Sequence, residues 1–498
     1  MSNSPKSIFF RGQKPIRFLR LNNIPFCVNQ LKNTDSLIRG IISLPNASPF
    51  GMLNLCWEWL SPGGLPGLQN RWRVALRAAV GSSPIHSRLF LYWYPRTPGW
   101  CCMLLSPDQD NLTPLVSRFL NIHTITWGEP KDSFIARYRG QLIDPDSARA
   151  YDELAALLKP HQITPLFREE EGSHAVILIA GITNPRPAKV WVNILFFVLT
   201  FFSVLFTGAL FSYQGSLPHN ITETLRFIAS GLPFAVSLLA ILLAHEFGHY
   251  LAGRYHKTMV TLPYFIPFPF SYFGTMGAFI QLKEPPKNRR VMLDIGIAGP
   301  LAGLIVAVPI LLLGLFMSPL DTIPFHLQNG QIFEGNSLLY LLLKYIVHGE
   351  FLPKPFNYLG VEPIIYWVKY VFTGMPIPRG GVDVTLHPVA WAGWAGLLVT
   401  AINLIPAGQL DGGHLIYVLF GKRASRLIPF VLIGLLGLGF VWYGWWIWAF
   451  LILILGRFYA EPLDQITKLD PRRKLVAILG IIVFILVFIP VPLIEITV

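Results

Sequence analysis

Charge is scarce in this chain. Of its 498 residues only 13% are Asp, Glu, Lys or Arg, while 53% are hydrophobic, and the mean hydropathy is +0.49. That balance excludes a disordered chain and argues against an ordinary soluble one. Acid is rarest at the start. Residues 1–107 hold twelve Lys/Arg against only Asp35 and Glu58, and the rest of the chain holds 28 basic groups against 25 acidic ones. The net charge of +13 is therefore an N-terminal feature. No basic face with interleaved aromatics accompanies it, so no nucleic-acid partner is expected. Cysteine is equally sparse. Cys27, Cys56, Cys101 and Cys102 lack zinc-finger spacing, and an adjacent pair is poorly placed to bond to itself, so no disulfide framework is indicated.

Long hydrophobic runs are plentiful. Several approach or exceed the roughly 20 residues that a helix needs to cross a bilayer. Spans are expected at about Trp191–Phe211, Gly231–Gly253, Val291–Phe316 and Pro388–Ile405, followed by a tight hairpin over 427–456 and a last span over Leu475–Pro492. The expected fold is an all-α polytopic membrane protein with about six to seven transmembrane helices and a small N-terminal α+β soluble domain. Three regions follow. Residues 1–107 lack periodicity and a secretory apolar segment. Of a transit segment, a poorly ordered extension and a start codon placed too far upstream, the last two together are preferred. Residues 108–182 read as the α+β domain, with strands at "FIARYRGQLI", "ITPLFRE" and "HAVILIAG" and a capped helix at "DPDSARAYDELAALLKP". Residues 183–498 form the membrane domain, entered through "TNPRPAKV".

Lys and Arg cluster before the first span, after the second, before the third, at Lys422–Arg426 and at Arg472–Lys474. Alternating sides span by span places all five clusters in one compartment, with the α+β domain. The expected location is a bacterial plasma membrane with that domain on the cytosolic side, or alternatively a chloroplast membrane.

Inside the second span lies "LLAHEFGHYLAG". Ionisable groups at membrane depth are costly and mark function by default. His245 and His249 are four apart, so a helix projects both imidazoles from one face towards one ion. Glu246 sits where its carboxylate can take a proton from water activated by that ion. Chance produces His-Glu-x-x-His in roughly one such chain in a hundred, and burial in lipid makes an idle copy less tenable still. A catalytic zinc usually takes a third protein ligand. Asp411 in "NLIPAGQLDGGH" is the preferred candidate, with Gly412 and Gly413 allowing close backbone approach. His414 ranks below it.

"HEFGH" followed about 160 residues later by "NLIPAGQLDGGH" resembles the site-2 protease family of intramembrane zinc metalloproteases. "GTMGAFIQL" and "GIAGPLAG" are similar to its cyanobacterial, bacterial and chloroplast branch. The resemblance covers about residues 134–498. It implies one Zn2+ per chain held by His245, His249 and Asp411, with Glu246 as general base. It further implies hydrolysis of peptide bonds in a membrane-spanning protein substrate within the lipid bilayer, usually after another protease has trimmed that substrate.

Beside these stand readings from the residues. "GTMGAFIQL" offers either a strand edge for an extended substrate or a re-entrant turn made by Gly274 and Gly277. Asn403 is either a donor to the substrate carbonyl or oxyanion or a helix-breaking neighbour of Pro406. Gly299, Pro300 and Gly303 read as helix-packing residues. Two other functions compete: a proteolytically inactive homologue acting as a membrane scaffold or chaperone, and a metal or ion transporter. The latter generally shows paired internal repeats, which this chain lacks.

Overall fold

The computed structural model describes residues 109–129, 131–182, 189–213, 218–327, 329–358, 360–456 and 460–496. The readings of residues 1–107 and of most of the linker "TNPRPAKV" fall outside the described residues.

The first described part is small and mixed. It runs α1 (Gln109–Val116), β1 (Leu120–Trp127), β2 (Ala136–Leu142), α2 (Ser147–Leu158), β3 (Ile163–Glu170) and β4 (Ser173–Ala180). The strands form one antiparallel sheet in the order β1-β2-β4-β3. Ala150, Tyr151, Leu154 and Leu158 recur at helical spacing on α2 and are buried. They close over Tyr138, Phe167, Val176 and Leu178 of the sheet. The three expected strands and the expected helix match β2, β3, β4 and α2. Strand β1 was not anticipated. Only its first residue, Leu120, is fully buried, so the apolar alternation that marks a half-buried strand is weak there.

This part is fastened to the membrane part through main chain. The buried Arg168 guanidinium donates to the carbonyls of Phe167, Pro462 and Leu463. Asp464, fully buried, accepts from the Ser147 hydroxyl at 2.9 Å and from the backbone N–H groups of Ile466 and Thr467. Its own N–H donates to the Lys287 carbonyl at 2.7 Å.

The membrane part begins with α3 (Val190–Ser212), α4 (Ile221–Ser230) and α5 (Leu232–Tyr255). A two-stranded hairpin follows, β5 (Tyr264–Pro267) and β6 (Thr275–Phe279), and then α6 (Arg289–Phe316). Among the described residues three helical stretches are long and apolar enough to cross a membrane: Val190–Ser212, Ile221–Tyr255 and Arg289–Phe316. The outer face of α3 leaves Trp191, Phe202, Phe206 and Leu210 exposed, a surface suited to lipid rather than water.

Beyond α6 come β7 (Leu320–Thr322), β8 (Ile332–Glu334), α7 (Leu338–His348), α8 (Pro363–Thr373) and β9 (Val382–Val384). They are followed by α9 (Pro388–Asn403), α10 (Asp411–Phe420), α11 (Ile428–Gly439), α12 (Gly444–Leu455), α13 (Pro471–Val487) and β10 (Leu493–Glu495). The expected fourth span corresponds to α9, which has 16 residues. At about 1.5 Å per residue that falls short of a hydrocarbon core of about 30 Å. The expected hairpin is α11 and α12, of 12 residues each.

Helix α9 is central because small residues let it approach its neighbours. A Cβ on Gly393 would lie 2.7 Å from the Leu311 Cα, and one on Gly314 would lie 2.4 Å from the Ala390 Cα. Trp394, fully buried, donates its indole N–H to the Gly335 carbonyl at 2.8 Å. The ends of the bundle are electrostatically tied. At one end Arg473 on α13 bonds Asp294 on α6, which also pairs with His256 at the end of α5. At the other, the fully buried Lys344 ammonium lies 3.0 Å from Glu334 and 3.3 Å from Asp383.

That last pairing generates a prediction. Lys344→Met removes the cation that pairs with both buried carboxylates, and breaking a buried ion pair from one side typically costs about 3–5 kcal/mol. A fall of several degrees in the thermal unfolding midpoint of the purified protein is expected. An unchanged midpoint would mean that the two carboxylates are held apart by something other than Lys344.

Candidate metal centre

Helix α5 starts at Leu232 with Pro233 in its first turn, where a missing N–H is harmless. It continues unbroken to Tyr255, so residues 245 and 249 sit one turn apart on one face. Both imidazoles are buried, as is Glu246 between them in sequence. The His245 Nε2 and His249 Nε2 atoms are 3.3 Å apart.

The third member comes from 162 positions further along the chain. After α9 ends at Asn403, the chain turns through Pro406 and Gly408 and starts α10 at Asp411. Glycine is required at the next two positions. A Cβ on Gly412 would come within 2.0 Å of the Leu404 carbonyl oxygen, and one on Gly413 within 2.3 Å of the Gly408 oxygen. With those contacts the Asp411 Oδ2 lies 3.4 Å from His245 Nε2 and 3.3 Å from His249 Nε2. His245, His249 and Asp411 form a three-residue group with metal-ligand spacing. His414, the lower-ranked candidate, lies outside it, with its side chain facing Gly296 of α6.

The donor set fits zinc. Three atoms spaced at 3.3, 3.3 and 3.4 Å make an almost equilateral triangle. A regular tetrahedron with such edges has its centre about 2.0–2.1 Å from each vertex, the usual length of zinc–nitrogen and zinc–oxygen bonds. Protonation supports the same reading. His249 Nδ1 lies 2.7 Å from the Ile295 carbonyl oxygen. A carbonyl can only accept, so Nδ1 carries the proton and Nε2 presents its lone pair to the triangle.

Helix α6 makes room for this group. A Cβ on Gly299 would fall 2.0 Å from His249 Nε2, and one on Gly303 would fall 3.1 Å from His245 Nδ1. The expected packing glycines thus do admit a neighbour closely, and what they admit is the pair of imidazoles. The Ile295 carbonyl was not anticipated at all. A backbone acceptor has no residue-type signature, so only its position in α6 reveals it.

Two other sequence-derived candidates border the group. The Asn403 amide nitrogen is 3.3 Å from His245 Nε2. Strand β6 packs against α5, the helix that carries Glu246, and the backbone of Ile280, the residue directly after β6, lies near the Glu246 carboxylate. The segment "GTMGAFIQL" is therefore a strand, antiparallel to β5 with Phe279 opposite Tyr264 and Ala278 opposite Phe265. Gly274 and Gly277 stand away from the triangle. Both have positive φ, +73° and +97°, a conformation that glycine adopts without strain. Gly274 packs on α3, its carbonyl accepting from the Ser203 hydroxyl at 2.6 Å.

Residues 233–433 match the model of peptidase family M50. The chain is 31% identical over 337 residues to the probable zinc metalloprotease EGY1, chloroplastic, of Oryza sativa subsp. japonica, covering 63% of this chain and 53% of that one. It is 29% identical over 341 residues to the Arabidopsis thaliana protein of the same name, covering 63% and 56%. To the probable zinc metallopeptidase EGY3, chloroplastic, of Arabidopsis thaliana it is 24% identical over 276 residues, covering 53% and 43%. The chain spans about half the length of the curated relatives it matches. No solved structure matches. The resemblance carried by "HEFGH" and "NLIPAGQLDGGH" is thus to peptidase family M50, the site-2 protease family, on the branch whose curated relatives are chloroplastic zinc metalloproteases.

Proposed function

We propose that this chain is an intramembrane zinc metalloprotease that holds one zinc ion through His245, His249 and Asp411 and cleaves membrane-spanning protein substrates. The near-equilateral triangle of the three ligand atoms carries this reading. Zinc bound there supplies a Lewis acid and lowers the pKa of water. Glu246 is the general base, taking the proton of the attacking water and delivering it to the departing amine. The Asn403 amide donates to the substrate carbonyl as negative charge develops on its oxygen.

A helical substrate hides its peptide bonds in its own hydrogen bonds, so it must unwind before cleavage. Strand β6 pairs with β5 on one side. Its other edge offers N–H and C=O groups to an extended chain, which replaces the bonds the substrate helix gives up. Because β6 packs against α5 beside Glu246, a substrate paired along β6 has its backbone led to the base. Gly277, with open space beside it, allows the substrate backbone close access, and Gly274 shapes the entry to the strand by packing on α3.

The reading includes six to seven crossings. The short helices α9, α11, α12 and α13 complete the set with local thinning of the bilayer. All five basic clusters share one compartment with the α+β domain. Arg473 bonding Asp294 near the start of α6, and Arg290 donating to the Lys468 carbonyl, support this for two of them. Of the two locations read from sequence, the chloroplast membrane has the support of the relatives' names. An inactive scaffold is disfavoured because each proposed catalytic position carries a competent side chain.

Metal analysis and cleavage assays separate ligands from base. Glu246→Gln keeps size but loses the proton acceptor. Its cleavage should fall by about a hundred- to ten-thousand-fold, with zinc still near one per chain. Asp411→Ala should lose zinc, because two imidazoles alone hold the ion weakly, whereas His414→Ala should keep it. Full zinc in Asp411→Ala together with loss in His414→Ala would move the third ligand by three residues. Chelator-resistant transport without cleavage would replace the protease by a transporter.

Helix α6 supplies a separate test. Gly299→Ala adds one methyl group that would stand on His249 Nε2. Zinc content should drop as severely as in Asp411→Ala, although no ligand is altered. Normal zinc in Gly299→Ala would mean that α6 does not set the position of His249.

A further inference from the structure

At the end of the bundle remote from Arg289, a cavity of 540 Å³ opens between the last turn of α3, the first turns of α5 and α9, and the strands β7, β8 and β9. Its lining includes three carboxylates, Asp321, Glu334 and Asp383, and no Lys, Arg or His. Glu334 and Asp383 are 8% and 9% exposed. The compensating cation is Lys344, wholly buried behind them, which bonds Glu334 Oε1 and Asp383 Oδ1. The Tyr340 hydroxyl also donates to Glu334 Oε1, and the Val384 N–H to Asp383 Oδ1. Asp321 spends its Oδ1 on the Thr322 N–H. One ammonium thus compensates the two buried carboxylates, and the exposed Asp321 adds a third to the same wall. Aromatic faces from Phe211, Tyr272 and Trp391 complete the lining.

Such a wall is costly when empty and attractive to one class of partner. Burial pushes the Asp383 carboxyl up to about 6 despite the pull of Lys344, with Glu334 adding to the rise. An arriving cation would relieve that repulsion, and aromatic faces add cation–π attraction. An anion or a purely apolar group would gain neither.

The cavity is also linked to the candidate metal centre. Tyr272 stands in the turn of the β5–β6 hairpin, and β6 at that hairpin's other end packs against α5 beside Glu246. From Thr275 to Ile280 an extended chain advances about 17 Å at about 3.3 Å per residue. Resting on the proteolytic reading above, we propose that this cavity is a cation subsite. It takes an ammonium or guanidinium carried by the substrate roughly five to eight residues from the bond to be cut, a reach set by the same strand rise. Two sources share that chemistry: a Lys or Arg side chain, and the α-ammonium of a chain end exposed by earlier trimming.

The test is binding, measured on the full Glu246→Gln chain so that no turnover is needed. The probes are N-acetylated membrane-spanning peptides in which a single Lys is scanned along the flank that faces the cavity, each compared with its Gln twin. At one or more positions the Lys peptide should bind about tenfold tighter, the scale of a desolvated cation contact. Adding Asp321→Asn, and separately Glu334→Gln, should bring the Lys-to-Gln ratio close to one. The ratio is internal, so a general change in affinity cancels. Asp321 is exposed and bonds only its neighbour's N–H, so its variant decides the matter if Glu334→Gln does not fold. Free-amine peptides without Lys, ending at the same positions, distinguish the chain end from the side chain as the source. Equal binding of Lys, Gln and free-amine peptides, or a preference that survives both substitutions, overturns the proposal. Failure of the unsubstituted chain to cleave would overturn the protease reading and leave this result standing.

Discussion

Three ionisable side chains, two within α5 and one at the start of α10, meet among apolar helices, and the rest of the membrane part is arranged to make that meeting tolerable. His245 and His249 are buried and Asp411 is nearly so, and an unpaired charge there would cost several kcal/mol. They are instead turned on one another at 3.3–3.4 Å. This convergence requires α5 to be continuous, α10 to begin at Asp411, and α6 to offer no side chain at Gly299.

The glycines explain how helices can come so close without a gap or a clash. Gly299 and Gly303 leave space on α6 that the imidazoles fill, and Gly412 and Gly413 let the start of α10 lie against the carbonyls that end α9. In lipid there is no hydrophobic driving force between helices, so close packing and internal hydrogen bonds must hold them. The hydrogen bond from His249 to the Ile295 carbonyl does both at once. It orients a ligand and ties α5 to α6.

The hairpin β5–β6 joins two ends of the molecule that would otherwise be unrelated. At one end β6 packs against α5 beside Glu246, and at the other the turn contributes Tyr272 to the acidic cavity. A strand can do this because it advances more than twice as far per residue as a helix. The α+β part is held differently, through the main chain of residues 462–464 and the buried Asp464. Backbone bonds of that kind fix orientation more firmly than surface ion pairs, which contribute little.

What the sequence determined by itself was local. Two histidines four apart share a helix face whatever surrounds them, because the helical period is fixed. Asp411, followed by two glycines, could be nominated because few acids lie at such depth. The strands β2, β3 and β4 showed in their alternation, whereas β1, largely unburied, did not. Tertiary structure alone decided the rest. That Asp411 and not His414 joins the two histidines depends on where α10 starts, and the role of the Ile295 carbonyl depends on the register between α5 and α6. Gly299 was visible as a small residue, but its contact with His249 was not. Neither was the cavity, whose three carboxylates lie up to 62 positions apart and share a wall only once the strands pair. Local pattern follows from backbone periodicity, while convergence follows from packing, and packing between distant segments leaves no period to read.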